Sequence, residues 1–370
     1  MKARIAGIGA YAPERVVTND QLSEIVDTSD EWIRSRTGIS ERRISTGETT
    51  RDLAAEAARR ALKAAGVDAR ELDIIILGTS SPDNNYPSDA CSVQAMIGAE
   101  NAVAFDISAA CAGFIFAMNI VHGFFQAGIY KTALIIGAET LSKVTDWTDR
   151  GTCVLFGDGA GAAVLKAEET GVVDMLMGSD GTKGPILSCT SRTLGNFLTG
   201  TRPELGLMTM DGQEVFRFAV KKVPESIEIL LERNHISREE IKYYVLHQAN
   251  HRILEGVAKR MKVPLERFYE NIGRYGNTSA ATIPIALDEM AEQELLRWTD
   301  ERDRLVAMRS CQITLQVMNG LLFGGAMTAL LCYAITRRAL FQTVGITLCA
   351  VILTLFFVTM AANRYFERRM

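Results

Sequence analysis

The chain has 370 residues, 48% hydrophobic and 23% charged, so it can bury a large core in more than one structural unit and is not a disordered segment. A formal charge of −4 and a pI near 5.8 argue against a nucleic-acid binder, which is usually basic. The seven cysteines are odd in number, form no C-x-x-C pair and follow no secretory leader, because residues 1–10 already read as a strand; this points to a reducing cytosol.

From residue 1 to about 290, short β-branched runs alternate with alanine-rich helical stretches, the pattern of a layered α/β architecture. A helix is expected over 52–65, closed by Gly66 as its C-cap. The run 74–77 (Ile-Ile-Ile-Leu) between Asp73 and Gly78 suits a strand buried on both faces, as do 133–137 and 162–165. The apolar run 103–107 gives way to Cys111 and then to 112–118, which reads as a buried helix. Residues 243–246 read as a further strand, with His247 at its C-terminal end. The lead-in 69–73 to the strand 74–77 is echoed by 237–242 before 243–246, and the strand-to-helix unit 103–118 by 271–287. The echo divides this region into two related halves, 1–165 and 166–293.

Three residues stand where chemistry is placed in such architectures. Cys111 falls at or near a helix N-terminus, where unpaired N–H groups and the helix dipole favour thiolate over thiol, and its flanking alanines leave room for an acyl group. His247 sits at a strand end. Asn277 lies in the loop 275–279 before another small-residue helix. Taken singly, each has a plainer explanation: a small buried cysteine, a structural histidine, a turn or N-cap asparagine. Their order and spacing together decide otherwise.

The stretches Ala110-Cys111-Ala112-Gly113, 146–161 (DWTDRGTCVLFGDGAG), His247-Gln248-Ala249-Asn250 and Gly276-Asn277-Thr278-Ser279, with Asp30-Glu31-Trp32-Ile33 and Arg36-Thr37-Gly38-Ile39, resemble the β-ketoacyl-acyl-carrier-protein synthase III family over residues 1 to about 290. The resemblance implies a thiolase-like, duplicated five-layer αβαβα fold working as a homodimer. It implies that Cys111 accepts the acyl group of acetyl-CoA or another short acyl-CoA, and that His247 and Asn277 hydrogen-bond the thioester oxygen of malonyl-ACP as it loses CO2 and attacks the acyl-Cys111. No metal or cofactor is implied; CoA and carrier-protein phosphopantetheine thioesters are the substrates. Trp32, Arg36 and Arg150 are implied to hold the CoA adenine and phosphates, and Gly212, Phe216 and Asn250 to line the pantetheine tunnel. Tyr86 would close the acyl pocket of the dimer mate. Arg252, Lys259 and Arg260, on one face of a helix over 252–261, with Arg217, would dock the acidic acyl carrier protein.

Beyond residues 284–289 the chain departs from that family, whose helix end, buried strand, glycine-rich loop and last strand are absent. That loop supplies an oxyanion-hole N–H, and losing one such donor costs about 2.7 to 4 kcal/mol of transition-state stabilisation. In its place a charged connector, 294–312, leads to two uncharged apolar spans within 313–362, joined by Thr336-Arg337-Arg338, and a basic tail, 363–370. Each span is long enough to cross a bilayer, and the flanking arginines put both ends on the inner face of the cytoplasmic membrane. Two origins compete: a genuine tether, or a truncated gene joined to an unrelated frame, with the break inside a structural core and no spacer favouring the second. The competing function is accordingly a catalytically impaired or chimeric membrane-anchored protein that binds acyl-CoA or carrier protein.

Overall fold

The computed structural model describes residues 1–293, and Met1–Glu292 form one compact unit. The connector, spans and tail expected over 294–370 lie outside the described residues; among those described, no helix is long and apolar enough to cross a membrane.

In chain order the strands are β1 (Lys2–Tyr11), β2 (Val16–Thr18), β3 (Glu41–Arg43), β4 (Ile74–Gly78), β5 (Val103–Ile107), β6 (Thr132–Glu139), β7 (Gly159–Glu168), β8 (Leu187–Cys189) and β9 (Met208–Met210). The helices that matter below are α1 (Asp30–Thr37), α2 (Thr50–Ala65), α3 (Asp89–Ile97), α4 (Gly113–Gln126), α5 (Gly212–Arg233) and α6 (His251–Met261). Helix α2 begins on a reciprocal cap, Thr49 with Asp52, and ends on Gly66 in the left-handed region at φ +62°, as expected.

Five strands form one sheet in the order β1-β7-β6-β4-β5. Strand β4 runs parallel to β5 and β6, while β7 is antiparallel to β6 and to β1. Parallel neighbours need crossovers, which α3 and α4 supply. All five residues of β4 are buried, as the unbroken apolar run requires. Their alternation shows in what they touch. Ile75 and Leu77, with Leu134, Ile136 and Val164, meet the α2 and α3 side; Ile74 and Ile76, with Ala133 and Ile135, meet Phe114, Ala117, Val121 and Phe125 of α4. Burying each such side chain contributes about 1.5–3 kcal/mol, which makes β4 and β6 the centre of the core.

Three glycines interrupt the α4 face. Gly78, Gly137 and Gly161 lie opposite one another across β4, β6 and β7. A Cβ on Gly78 would lie 2.8 Å from the Gly113 carbonyl carbon, one on Gly137 2.1 Å from the Ala280 carbonyl oxygen, and one on Gly161 2.7 Å from the Pro284 Cβ. The bare trough therefore seats the start of α4 and the chain from 280 to 284. From 282 to 293 the chain is helical, and Ile283 and Leu287 pack on the α4 side of the sheet.

In the second half, α5 and α6 pack through Val220, Val223, Ile227, Ile253, Val257 and Met261. The strand expected over 243–246 does not form. Tyr244 makes a single parallel bridge to Phe268, backed by stacked rings with centroids 4.8 Å apart. An apolar run becomes a strand only where neighbouring strands take up its N–H and C=O groups, and the described residues offer it this one partner. The described residues thus build one helix–sheet–helix sandwich and the α5–α6 pair, with the two-stranded sheets β2–β3 and β8–β9 besides.

Candidate active site

Cys111 occupies the tight turn Ala110–Ala112 that runs directly into α4. The residue before it, Ala110, has φ +46°, a left-handed conformation that costs an alanine about 1–2 kcal/mol and is held by the turn's closure onto the trough. The sequence placed Cys111 at a helix start, and there it stands, partly buried.

His247 is not carried by a strand. Its neighbour Gln248, fully buried, does the holding: Gln248 Oε1 accepts from the N–H groups of Asn271 and Ile272, both at 2.9 Å, and its Nε2 donates to the Tyr269 carbonyl at 3.3 Å. This amide clamps the His247 segment to 269–272. Asn277 is 5% exposed and fixed by its own backbone, its N–H donating to the Leu155 carbonyl at 2.9 Å and its carbonyl accepting from Gly157 at 3.1 Å. Its Oδ1 accepts from the Ser279 N–H at 2.9 Å. Gly157 must be glycine here, because a Cβ would come within 2.2 Å of the Tyr275 carbonyl oxygen.

These elements bring Cys111 and His247 together with the 277–279 loop. Burial pushes the Cys111 thiol up, but the charge and hydrogen bond of His247, with the Ser279 hydroxyl, prevail and hold it below the ordinary thiol range. Burial pushes His247 down in turn, but the Cys111 thiolate and the Ser279 carbonyl carry it above its ordinary value. His247 Nδ1 is buried without a hydrogen bond of normal geometry, so that carbonyl acts on the ring as a nearby dipole. Each group thus favours the charged form of the other, the direction that activates a cysteine as a nucleophile.

Two residues of this site were not singled out from the sequence. Ser279, at φ +48°, donates its N–H to Asn277 Oδ1 and is among the groups that lower the Cys111 thiol and raise His247. Glu139, wholly buried at the end of β6, accepts from Ser80 and Ser81 and opposes the lowering of the Cys111 thiol. Only the oddity of a glutamate closing the apolar run 133–138 signalled the second, and nothing in the sequence signalled a left-handed serine.

Trp32, Arg36 and Arg150 converge as expected. The guanidinium carbons of Arg36 and Arg150 lie 5.7 and 5.0 Å from the Trp32 ring centroid, and Arg150 is steadied by a 2.8 Å bond to the Asp27 carbonyl. Gly212 and Phe216 are exposed in the first two turns of α5, and Asn250 caps α6 by accepting from the Arg252 N–H at 2.9 Å. Tyr86 is 87% exposed on the β4–α3 connection. Helix α6 buries Ile253, Leu254, Val257 and Ala258 and leaves Arg252, Lys259 and Arg260 outside, so the predicted basic face exists. Acidic groups partly offset it: Arg260 is 3.9 Å from Glu225, and Arg217 is paired with Glu214. Among the described residues no group of His, Cys, Asp or Glu is arranged to hold a metal.

Comparison with known proteins agrees with this geometry. The family described as 3-oxoacyl-[acyl-carrier-protein (ACP)] synthase III matches residues 105–181, and its C-terminal counterpart matches 231–302. The chain is 50% identical over 298 residues to a β-ketoacyl-[acyl-carrier-protein] synthase III of Clostridium acetobutylicum, covering 79% of this chain and 91% of that one. A Clostridium kluyveri protein of the same description is 48% identical over 301 residues, covering 81% and 93%. Among solved structures, 3-oxoacyl-[acyl-carrier-protein] synthase III from Aquifex aeolicus superposes with a TM-score of 0.73 at 44% identity, over 79% of this chain and 91% of that one.

Proposed function

The chain belongs to the β-ketoacyl-acyl-carrier-protein synthase III family, acyltransferases of thiolase-like α/β fold that start fatty acid synthesis, and on that premise we propose that it joins a short acyl group from acyl-CoA to malonyl-ACP. In the first half-reaction the Cys111 thiolate adds to the thioester carbonyl of acetyl-CoA, the C–S bond to CoA breaks, and CoA leaves as its thiol after taking a proton. In the second, malonyl-ACP loses CO2. The electron pair left behind is held as an enolate whose oxygen accepts hydrogen bonds from His247 and Asn277, and its carbon attacks the acyl-Cys111 carbonyl. The new C–C bond forms, the Cys111–carbon bond breaks, and the thiolate returns.

The observation that carries this reading is the depressed Cys111 thiol beside a raised His247, with Asn277 fixed by backbone bonds in the same loop as Ser279. The Trp32–Arg36–Arg150 cluster supports CoA as the acyl donor, since an aromatic face between guanidinium groups suits an adenine and its phosphates. The outer face of α6 supports an acidic carrier protein as the second partner. The exposed Tyr86 and the edge strand β5, paired among the described residues only to β4, support a dimer in which Tyr86 reaches the mate's pocket.

A second reading, binding without condensation, is favoured by the lone Tyr244–Phe268 bridge where the family's second sheet is expected. Mass spectrometry after incubation of the full chain with acetyl-CoA decides between them. One acetyl group on the wild type and none on Cys111→Ala, followed by β-ketoacyl-ACP once malonyl-ACP is added, supports the synthase. A folded, unacetylated chain supports the binding protein.

A further inference from the structure

Strand β3 carries an arginine that the chemistry above does not use. Arg42 has no exposed surface, and burial pushes its guanidinium down to about 10, which leaves it a cation at neutral pH. A buried cation is ordinarily held by a carboxylate. Arg42 is held by neutral oxygens instead: Nη1 donates to Asn19 Oδ1 at 2.7 Å and to the Val17 carbonyl at 3.4 Å, and Nη2 donates to the Val154 carbonyl at 2.7 Å. Its Nε is buried with no acceptor. Well-packed apolar residues often replace buried charges at no cost in stability, so the two short bonds point to a role beyond stability.

Each of these bonds leads to a different part of the site. Asn19 is 1% exposed and its amide is fully used: Oδ1 accepts from Arg42, while Nδ2 donates at 2.8 Å to Asp30 Oδ1 and at 2.8 Å to the Ile39 carbonyl. Asp30 opens α1 and Ile39 follows its C-cap, Gly38, so one amide ties both ends of the helix that carries Trp32 and Arg36. On the other side, Val154 joins the short turn Arg150–Cys153 to Leu155, Phe156 and Gly157. The Leu155 carbonyl and the Gly157 N–H hold the backbone of Asn277, at 2.9 and 3.1 Å. Arg42 also packs there, since a Cβ on Gly157 or Gly276 would lie 3.2 or 3.3 Å from the Arg42 Cβ.

We propose that Arg42 is a positioning residue that locks the nucleotide clamp of Trp32, Arg36 and Arg150 to the backbone that fixes Asn277, so that one guanidinium sets the geometry of both half-reactions. A guanidinium suits this task because its donors lie in one plane at a fixed separation and reach two oxygens at once. The two half-reactions use the site in turn, and a rigid link keeps the clamp and the Asn277 loop in one register for both acyl carriers.

The inference rests on the synthase reading, and two variants separate its arms. Asn19→Asp keeps an oxygen for Arg42 but loses the N–H groups that hold Asp30 and Ile39. It is expected to raise KM for acetyl-CoA about tenfold and to leave kcat for malonyl-ACP decarboxylation within about twofold of wild type. Arg42→Met runs to a similar length without donors. It is expected to raise the same KM about tenfold and to lower that kcat about 100-fold, the cost of roughly 1 Å of misplacement at Asn277. A fall of decarboxylation in Asn19→Asp, or unchanged decarboxylation in Arg42→Met, overturns the proposal.

If the wild type is not acetylated, the synthase reading fails, and amide hydrogen exchange of the full chain tests the lock by itself. Arg42→Met is expected to speed exchange over 30–39 and at Gly157 and Asn277 while the β4 amides keep their wild-type rates, and Asn19→Asp to speed 30–39 alone. Equal acceleration across the sheet would make Arg42 a general core residue and overturn the proposal. If Arg42→Met does not fold, exchange is compared with and without 3′-phospho-ADP, the nucleotide end of CoA. The nucleotide is expected to slow Asn277 in wild type but not in Asn19→Asp; equal slowing in both, or none in either, overturns the proposal.

Discussion

A single methyl group at Gly137 tests how the site is built. A Cβ there would lie 2.1 Å from the Ala280 carbonyl oxygen, 2.6 Å from its carbon and 3.2 Å from the Ala281 nitrogen. None of these atoms belongs to a side chain that can rotate away, so the loop bearing Asn277 and Ser279 must retreat by roughly 1 Å to restore van der Waals contact. A displacement of that size in a positioning element costs about 100-fold in rate. Gly137→Ala is therefore expected to lower condensation about 100-fold, and to affect decarboxylation of malonyl-ACP more than acetylation of Cys111, whose turn lies on Gly78 instead. Gly123→Ala, on α4 with nothing within 4 Å of the added methyl, is the control and is expected to be active and slightly more stable. The assays are acetyl transfer by mass spectrometry and malonyl-ACP turnover, beside thermal melts. Condensation by Gly137→Ala within about threefold of wild type would refute the claim that the sheet backbone sets the loop.

Trp32→Ala is expected to raise KM for acyl-CoA about tenfold with kcat unchanged, because the ring and its two guanidinium neighbours lie outside the reacting centre; an equal fall in kcat would move Trp32 into the chemistry. Asp89 is fully buried, with burial pushing its carboxyl up to about 6, so the folded state holds a proton that the unfolded chain has already lost at about 3.9. Its contribution to stability is complete below the unfolded value and lost as pH rises through about 6, so the advantage of Asp89→Asn over wild type should grow by about 2 to 3 kcal/mol between pH 4 and 7 in urea melts, and a pH-independent difference would sink the assignment. Glu289 accepts from Tyr269 at 3.1 Å, Asn271 at 2.9 Å, Arg274 at 2.7 Å and Tyr275 at 2.8 Å, so Glu289→Ala removes the acceptor that ties these four donors together. A loss of about 2 kcal/mol in urea unfolding is expected, and a loss below about 0.5 would show that the cluster is replaced by water.

The first half of the fold was legible because its signals are local. The run 74–77 is apolar at every position and became a strand buried on both faces, and the stretch 52–65 needed only its cap and Gly66 to become α2. The run 243–246 carries a similar apolar signal without becoming a strand, since pairing depends on neighbours that local sequence does not report. Cys111, His247 and Asn277 were recognisable from their motifs. Ser279 and Glu139 were not, because a positive φ on a serine and a carboxyl buried at a strand end arise only when β6, the Cys111 turn and the 277–279 loop meet. Arg217, read from the sequence as a basic docking position, is paired in the structure with Glu214 three residues earlier, a helical neighbour that the motif alone does not report.

The glycines facing the Cys111 turn and the 280–284 segment constrain how this protein can change. At Gly78, Gly137 and Gly161 the sheet meets main chain, or the fixed ring of Pro284, rather than adaptable side chains, so no repacking of a neighbour can absorb a larger residue. Substitutions at these positions are coupled to the backbone path of a distant segment, and an accommodating change would have to arrive there at the same time. The outer faces of α5 and α6 carry no such coupling, since their exposed positions can be exchanged one at a time. Donor and recipient in a loop exchange between homologues would therefore need matching sheets as well as matching catalytic residues: transplanting 276–284 onto a strand bearing alanine at the Gly137 position would carry over the motif without its geometry.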